Sequence, residues 1–164
     1  MSSLVGSVVE KDAKRFEALV KVCAEQATGY RDIYGYKTHN PVTKVPTIVE
    51  IGTLHGHSAR ILAKYGKVHT YDINDYGNKF PENVIVHIVK ERVQPENLPV
   101  DFDFAYIDGD HSYEGVSHDF EVVKHCGKVI FHDYHSKCLD VVKFVNSLGI
   151  NVFCDPPFAL WWKD

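Results

Sequence analysis

The chain has 164 residues, 45% of them hydrophobic, and a formal charge of −4 at pH 7. That length is one domain with room for a real core, and the negative balance argues against a general binder of nucleic acid or of membrane surfaces. No apolar run approaches a membrane span, and no basic segment followed by an apolar stretch opens the chain, so a cytoplasmic protein without a signal peptide is expected.

Residues 7–27 predict a helix, because Phe16, Leu19, Val20 and Cys23 repeat at helical spacing on one stripe. Residues 29–46 carry Gly, Pro, Asn and several tyrosines without a period and read as a loop. Its Tyr30, Tyr34, Tyr36 and His39 either line a substrate mouth or, more simply, pack over the sheet edge. Residues 47–51 are a β-branched strand, followed by a helix over 57–65 that Gly66 closes. A second strand covers 68–72, a short crossover 73–83, a third strand 84–89 and a turn or helical connection 91–99. Residues 102–107 form a fourth strand, and 112–126 a helix with Tyr113, Val116, Phe120 and Val123 inward and Gly127 at its end. Residues 128–131 are a fifth strand. Ser136 is the expected cap of a helix reaching Leu148, with Val141, Val142, Val145 and Leu148 inward. Strands 151–154 and 158–162, turned by Pro156-Pro157, read as an antiparallel hairpin. Strands alternating with helices give an α/β architecture with a mostly parallel sheet covered on both faces. One compact domain spans 1–164: a helix and loop to 46, then a core over 47–162.

The four cysteines, Cys23, Cys126, Cys138 and Cys154, are widely spaced with no C-x-x-C, and read as reduced, mostly buried thiols. More chemistry sits at the strand ends. Glu50, Gly52 and Gly56 stand at the end of the first strand. There Gly52 would let the backbone turn, and Gly56 would let a ligand approach the chain. Asp72 ends the second strand, about twenty residues on, where an acid suits a ribose diol. The acid followed by Gly-x-x-x-Gly, with Asp72 after it, resembles the first motifs of the class I S-adenosylmethionine-dependent methyltransferases. That family has a Rossmann-like sheet of seven strands, the last antiparallel. The resemblance implies a cofactor site of Glu50, Gly52, Thr53, His55, Gly56, Ser58, Asp72 and Ile73. Glu91 is then the acceptor for the adenine amino group, and Asp108 joins the set after strand four.

Ile107-Asp108-Gly109-Asp110-His111-Ser112-Tyr113, with Phe131-His132-Asp133-Tyr134, resembles one group within that family: small O-methyltransferases of sugars and natural products, some of them metal-dependent. Carried over, Asp108 and Asp133 become metal ligands and His111 the general base, with Asp108 beside it in the catalytic set. His132 stands where the metal-dependent relatives have a carboxylate. Magnesium prefers oxygen, so His132 weakens the magnesium case and is more at home with a transition metal; the resemblance implies Mg²⁺ or another divalent metal, with Asp108, His132 and Asp133 around it.

The resemblance implies S-adenosylmethionine-dependent O-methylation of a small hydroxylated molecule, with no nucleic-acid or membrane partner. Two other readings stay open: a cofactor-binding protein without transfer activity, and a metal-dependent hydroxylase-like enzyme on the same scaffold.

Overall fold

The computed structural model describes residues 10–29 and 44–163. The tyrosines and histidine of the 30–39 stretch lie outside them. The described elements run α1 (Glu10–Ala27), β1 (Thr47–Ile51), α2 (His57–Leu62), β2 (Lys67–Asp72) and β3 (Val84–Ile88). They continue through β4 (Phe104–Ile107), α3 (Tyr113–Val123), β5 (Lys128–Phe131), α4 (Leu139–Ser147), β6 (Val152–Asp155) and β7 (Phe158–Trp162).

All seven strands join one sheet in the order β3-β2-β1-β4-β5-β7-β6. β1 to β5 pair in parallel, and β7 is antiparallel to both β5 and β6. Strand side chains alternate between the faces. Ile48, Val68, Phe104, Tyr106 and Ile130 meet Phe16, Leu19, Val20 and Cys23 of α1 and Leu62 of α2. Val49, Ile51, Ala105, Ile107, Val129 and Phe131 meet Val116, Phe120 and Val123 of α3 and Val141, Phe144 and Val145 of α4. Each large side chain buried this way contributes roughly 1.5–3 kcal/mol, so the interior needs nothing from the polar groups at the strand ends. No helix among the described residues is long and apolar enough to cross a membrane.

The departures from the expected elements have local causes. α2 stops at Leu62, and Ala63 to Tyr65 continue as a turn. β4 begins at Phe104, because Asp103 is engaged ahead of it: its carboxylate accepts the Thr47 N–H at 2.8 Å and pairs with Lys44 at 2.7 Å. α3 starts as expected, with the Ser112 hydroxyl accepting the Gly115 N–H at 3.0 Å, and Gly127 closes the following 3₁₀ turn at φ +82°. Ser136 does not cap α4. Tyr134 N–H bonds Pro157 O and Cys138 N–H bonds His135 O, which holds 134–138 as a turn and puts the cap at Cys138. Phe144 takes the inward place expected of Val142.

Between β1 and β4 the strand order reverses. In an open α/β sheet the crevice at such a switch point, beyond the carboxyl ends of the strands, is the place for a ligand.

Candidate active site

The loop after β1 is built around two glycines, and the structure gives each a packing task. Gly52 has φ +100°, and a Cβ there would lie 2.1 Å from the Asp108 carbonyl oxygen. Its bare backbone is what lets the ends of β1 and β4 close on one another. Gly56 (φ +69°) was expected to admit a ligand. Instead a Cβ there would lie 2.2 Å from the Phe80 ring, so its missing side chain makes room for the crossover after β2. Arg60 fastens the same corner, donating to the carbonyls of His55, Gly56 and Lys79.

Glu50 is wholly buried beneath this loop. Thr70 donates to its Oε2 at 2.5 Å, and the Thr70 hydroxyl is 2.6 Å from that of Thr53. Burial pushes the Glu50 carboxyl up to about 8, against the hydrogen bonds from Ser58 and Thr70. Glu50 therefore braces β1, β2 and the start of α2 from below and does not reach the ligand crevice.

Asp72, at the tip of β2, holds the loop from the other side. Its Oδ2 accepts the Thr53 and Leu54 N–H groups at 3.0 Å each, and Oδ1 accepts that of Asn74 at 3.0 Å. Each oxygen keeps further acceptor capacity toward the crevice.

That crevice is a cavity of about 730 Å³. Gly52, Asp72, Ile73, Glu91, Asp108 and His111 line it, joined by Arg92, Asp110 and Asp119. Glu50, Thr53, His55, Gly56 and Ser58 are not on its wall. Ser58 is buried and turned to Glu50, Thr53 lines a smaller neighbouring cavity, and His55 is exposed with its ring facing Tyr76. Glu91 is exposed where it meets the cavity.

At the ends of β4 and β5 the expected catalytic and metal residues converge. Asp108 is buried. Its Oδ2 accepts the Tyr106 hydroxyl at 3.1 Å, and its Oδ1 lies 3.0 Å from His132 Nδ1 and 3.5 Å from His111 Nε2. Asp133 sits at φ +56°, an uncommon conformation for a residue with a side chain, and its Oδ1 contacts His135 at 3.0 Å. Its Oδ2 lies 3.0 Å from His111 Nε2 and 3.5 Å from His132 Nδ1. Cys138, which nothing in its sequence spacing singles out, brings its thiol within 4.8 Å of the His111 and Asp133 ligand atoms.

The electrostatics follow from this crowding. The carboxylates of Asp108 and Asp133 raise His111 to about 10, despite its partial burial. Burial pulls His132 down, but the Asp108 hydrogen bond and charge outweigh it and the net shift is upward. Asp133 shows the converse: burial favours its neutral form, yet His111, His132 and His135 hold it below the usual carboxylate range. Burial first, and then the charges of Asp108 and Glu50, keeps the Tyr106 phenol protonated.

The donor set fits a divalent cation. Ligand atoms of Asp108, His132 and Asp133 all lie within 4.8 Å of one another. His111 Nε2 and Asp133 Oδ2 are both buried, and neither has a hydrogen-bond partner, although they are only 3.0 Å apart. They are close without being aligned on each other. The His132 imidazole among the donors suits a first-row transition ion better than magnesium.

Comparison with known proteins bears on the same residues. A family model described as a methyltransferase domain matches residues 49–134, which run from β1 through Asp133. No curated protein matches the chain. Among solved structures, an O-methyltransferase from Bacillus cereus in complex with S-adenosylhomocysteine is 16% identical with a TM-score of 0.57, covering 97% of this chain and 84% of that one. TomG, an O-methyltransferase of tomaymycin synthesis from Streptomyces achromogenes bound to S-adenosylmethionine, is 15% identical with a TM-score of 0.59, covering 97% and 82%. MycE, from the mycinamycin biosynthetic pathway and in complex with Mg and S-adenosylhomocysteine, is 14% identical with a TM-score of 0.56, covering 93% of this chain and 54% of that one. These likenesses establish the shared fold. With the family match extending over more than half of its length, the chain belongs to the class I S-adenosylmethionine-dependent methyltransferases.

Proposed function

We propose that this methyltransferase acts on an oxygen atom of a small hydroxylated molecule, with His111 as the proton acceptor and a divalent cation held beside it. The observation that carries the reading is a single cavity whose wall includes both Asp72 and the Asp108–His111 turn. The likeness to two O-methyltransferases, and to methyltransferases of two natural-product pathways, supports the class of acceptor.

S-adenosylmethionine, when bound, supplies a methyl group already activated by its sulfonium. The protein must hold the cofactor, align the acceptor and remove one proton. Asp72 offers carboxylate oxygens to a ribose diol. Gly52 and Ile73 shape the wall around it. His111, on the turn between β4 and α3, takes the acceptor's proton.

His111 can do so only when neutral. With its pKa raised to about 10 by Asp108 and Asp133, it carries a proton at pH 7. Asp108, His132 and Asp133 would hold the cation. Its charge would offset the two carboxylates and let His111 lose that proton nearer neutrality. MycE is in complex with magnesium; for this chain His132 among the donors favours a transition ion such as Mn²⁺, Fe²⁺ or Zn²⁺.

The test is calorimetry with S-adenosylmethionine, followed by turnover of phenolic and sugar hydroxyl acceptors with chelator or with added Mg²⁺ or Mn²⁺. The acidic limb of the rate profile should start high in chelator and shift toward neutral pH with the cation. His111→Ala should lower turnover at least about 100-fold and leave cofactor affinity nearly unchanged. Full turnover in that variant would remove His111 from the chemistry.

A further inference from the structure

Beside the Asp108–His132–Asp133 set lies a second group of donors, one of them a thiol. Ligand atoms of His111, Asp133 and Cys138 all lie within 4.8 Å of one another. They come from three places in the fold: the turn after β4, the end of β5 and the cap of α4. His111 Nε2 and Asp133 Oδ2 are 3.0 Å apart, buried, and without a hydrogen-bond partner. Asp133 itself is 4% exposed, and a carboxylate oxygen buried so deeply is normally matched by something. The backbone fixes the group in advance. The Asp133 carbonyl accepts the His135 N–H at 2.7 Å, and the His135 carbonyl accepts that of Cys138 at 3.0 Å. His135 Nε2 also meets Asp133 Oδ1 at 3.0 Å, an orienting contact that leaves Oδ2 to the group. The His111 side chain is 26% exposed and Cys138 is half-buried, so an ion has a way in.

The chemistry of this group differs from that of its neighbour. Asp108, His132 and Asp133 offer one imidazole and two carboxylates, whereas His111, Asp133 and Cys138 offer an imidazole, a carboxylate and a sulfur. Thiolate is a soft ligand suited to zinc, and magnesium, a hard ion, does not take it. Ligands of a tetrahedral zinc, at roughly 2.0–2.3 Å from the ion, stand about 3.3–3.6 Å from one another. The 3.0 Å pair and the 4.8 Å limit bracket that spacing.

We propose that His111, Asp133 and Cys138 form a seat for a thiophilic divalent cation such as Zn²⁺, and that an ion seated there blocks methyl transfer. Binding displaces the protons of the thiol and of His111 Nε2 to solvent. That ring nitrogen is then engaged by the metal and takes no proton from an acceptor. The seat stands on the three side chains alone, while the block rests on His111 being the base. Asp133 belongs to both groups, so a soft ion in this seat competes with a harder ion beside Asp108.

The test is a Co²⁺ titration of the metal-free full chain, followed by absorption. Cobalt held by a thiolate gives a charge-transfer band in the near ultraviolet that nitrogen and oxygen ligands do not give. Wild type and Cys154→Ser should show the band, saturating at one ion per chain and erased by Zn²⁺. Cys138→Ser should lose it, with thermal denaturation confirming the fold, and His111→Ala should weaken cobalt binding at least about tenfold. In wild type, Zn²⁺ should protect Cys138 from iodoacetamide, read by mass spectrometry, and Mg²⁺ should not. No band in wild type, a band kept in folded Cys138→Ser, or equal alkylation with and without zinc would mean that Cys138 only packs, and would overturn the seat. In turnover with Mn²⁺, the Zn²⁺ concentration that halves the rate should rise at least about tenfold in Cys138→Ser. An unchanged value beside a cobalt band would overturn the block and keep the seat. Absence of turnover on every acceptor would count against the proposed function, and the cobalt band would still decide the seat.

Discussion

Glu50 is a carboxyl inside the protein with no cation beside it among the described residues, and its titration should be visible in stability. Burial raises its pKa from the ordinary 4.5 to about 8. The folded chain thus holds this proton more tightly than the unfolded chain does. Stability is highest while both states are protonated and falls as pH rises from the unfolded value through the folded one. At about 1.4 kcal/mol per pH unit, wild type should lose roughly 3 kcal/mol between pH 5 and pH 8 relative to a variant that cannot ionise there. Glu50→Gln is that variant: it keeps an acceptor for the Thr70 hydroxyl. For a chain of this size the difference corresponds to a relative shift in Tm on the order of 6–12 °C. Urea or thermal unfolding of both proteins without cofactor, at half-unit steps from pH 5 to 8, measures it. Subtracting one curve from the other removes the carboxylates and histidines they share. A flat difference would mean that Glu50 ionises in the folded state at its ordinary value, and the argument from burial would fail.

Two further substitutions probe the walls of the crevice. Asp72→Ala should lower affinity for S-adenosylhomocysteine at least about tenfold through lost charge-assisted bonds. In that variant the 2′,3′-dideoxy analogue should bind as well as the natural ligand, whereas a preference equal to that of wild type would refute the ribose assignment. Gly52→Ala would place a methyl group 2.1 Å from the Asp108 carbonyl at a φ of +100°. Backbone strain of about 1–3 kcal/mol adds to that clash, and urea unfolding should show a loss of at least about 3 kcal/mol. Wild-type stability in this variant would mean that β1 and β4 do not close on Gly52.

The parts of the fold that were legible in the sequence are those fixed by local physics. The apolar β-branched runs became strands within a residue or two, because only a covered parallel sheet buries such runs on both sides. Ser112 marked the start of α3 and Gly127 the end of the 3₁₀ turn that follows it, because a cap and a left-handed turn are local chemistry. Ser136 misled because its segment is held by Pro157, in the turn before β7 some twenty residues away. The same division runs through the site. Asp72, Asp108 and His111 were legible because they end strands, and strand ends meet at a switch point. Glu50 and Gly56 were found as a motif but not in their roles, since burial against Thr70 and contact with Phe80 are tertiary facts. Asp119 did leave a trace, as an acid three residues after Val116 and next to Phe120 on a stripe that should be apolar. Cys138 left none, because its closeness to His111 depends on how β5 turns into α4.

Asp133 holds φ at +56°, where glycine is at ease and asparagine and aspartate are more tolerated than most residues. For folding alone, glycine would sit more easily at 133, and the Asp133 carboxylate is also buried in company that demands neutralisation. Selection for stability and selection for activity should pull this one codon in opposite directions. Variants evolved only to survive heat should drift to glycine or asparagine at 133, while those required to transfer methyl groups should keep the acid. The frequency of aspartate at this position after the two regimes would report how much stability the chain gives up to keep its carboxylate beside His111.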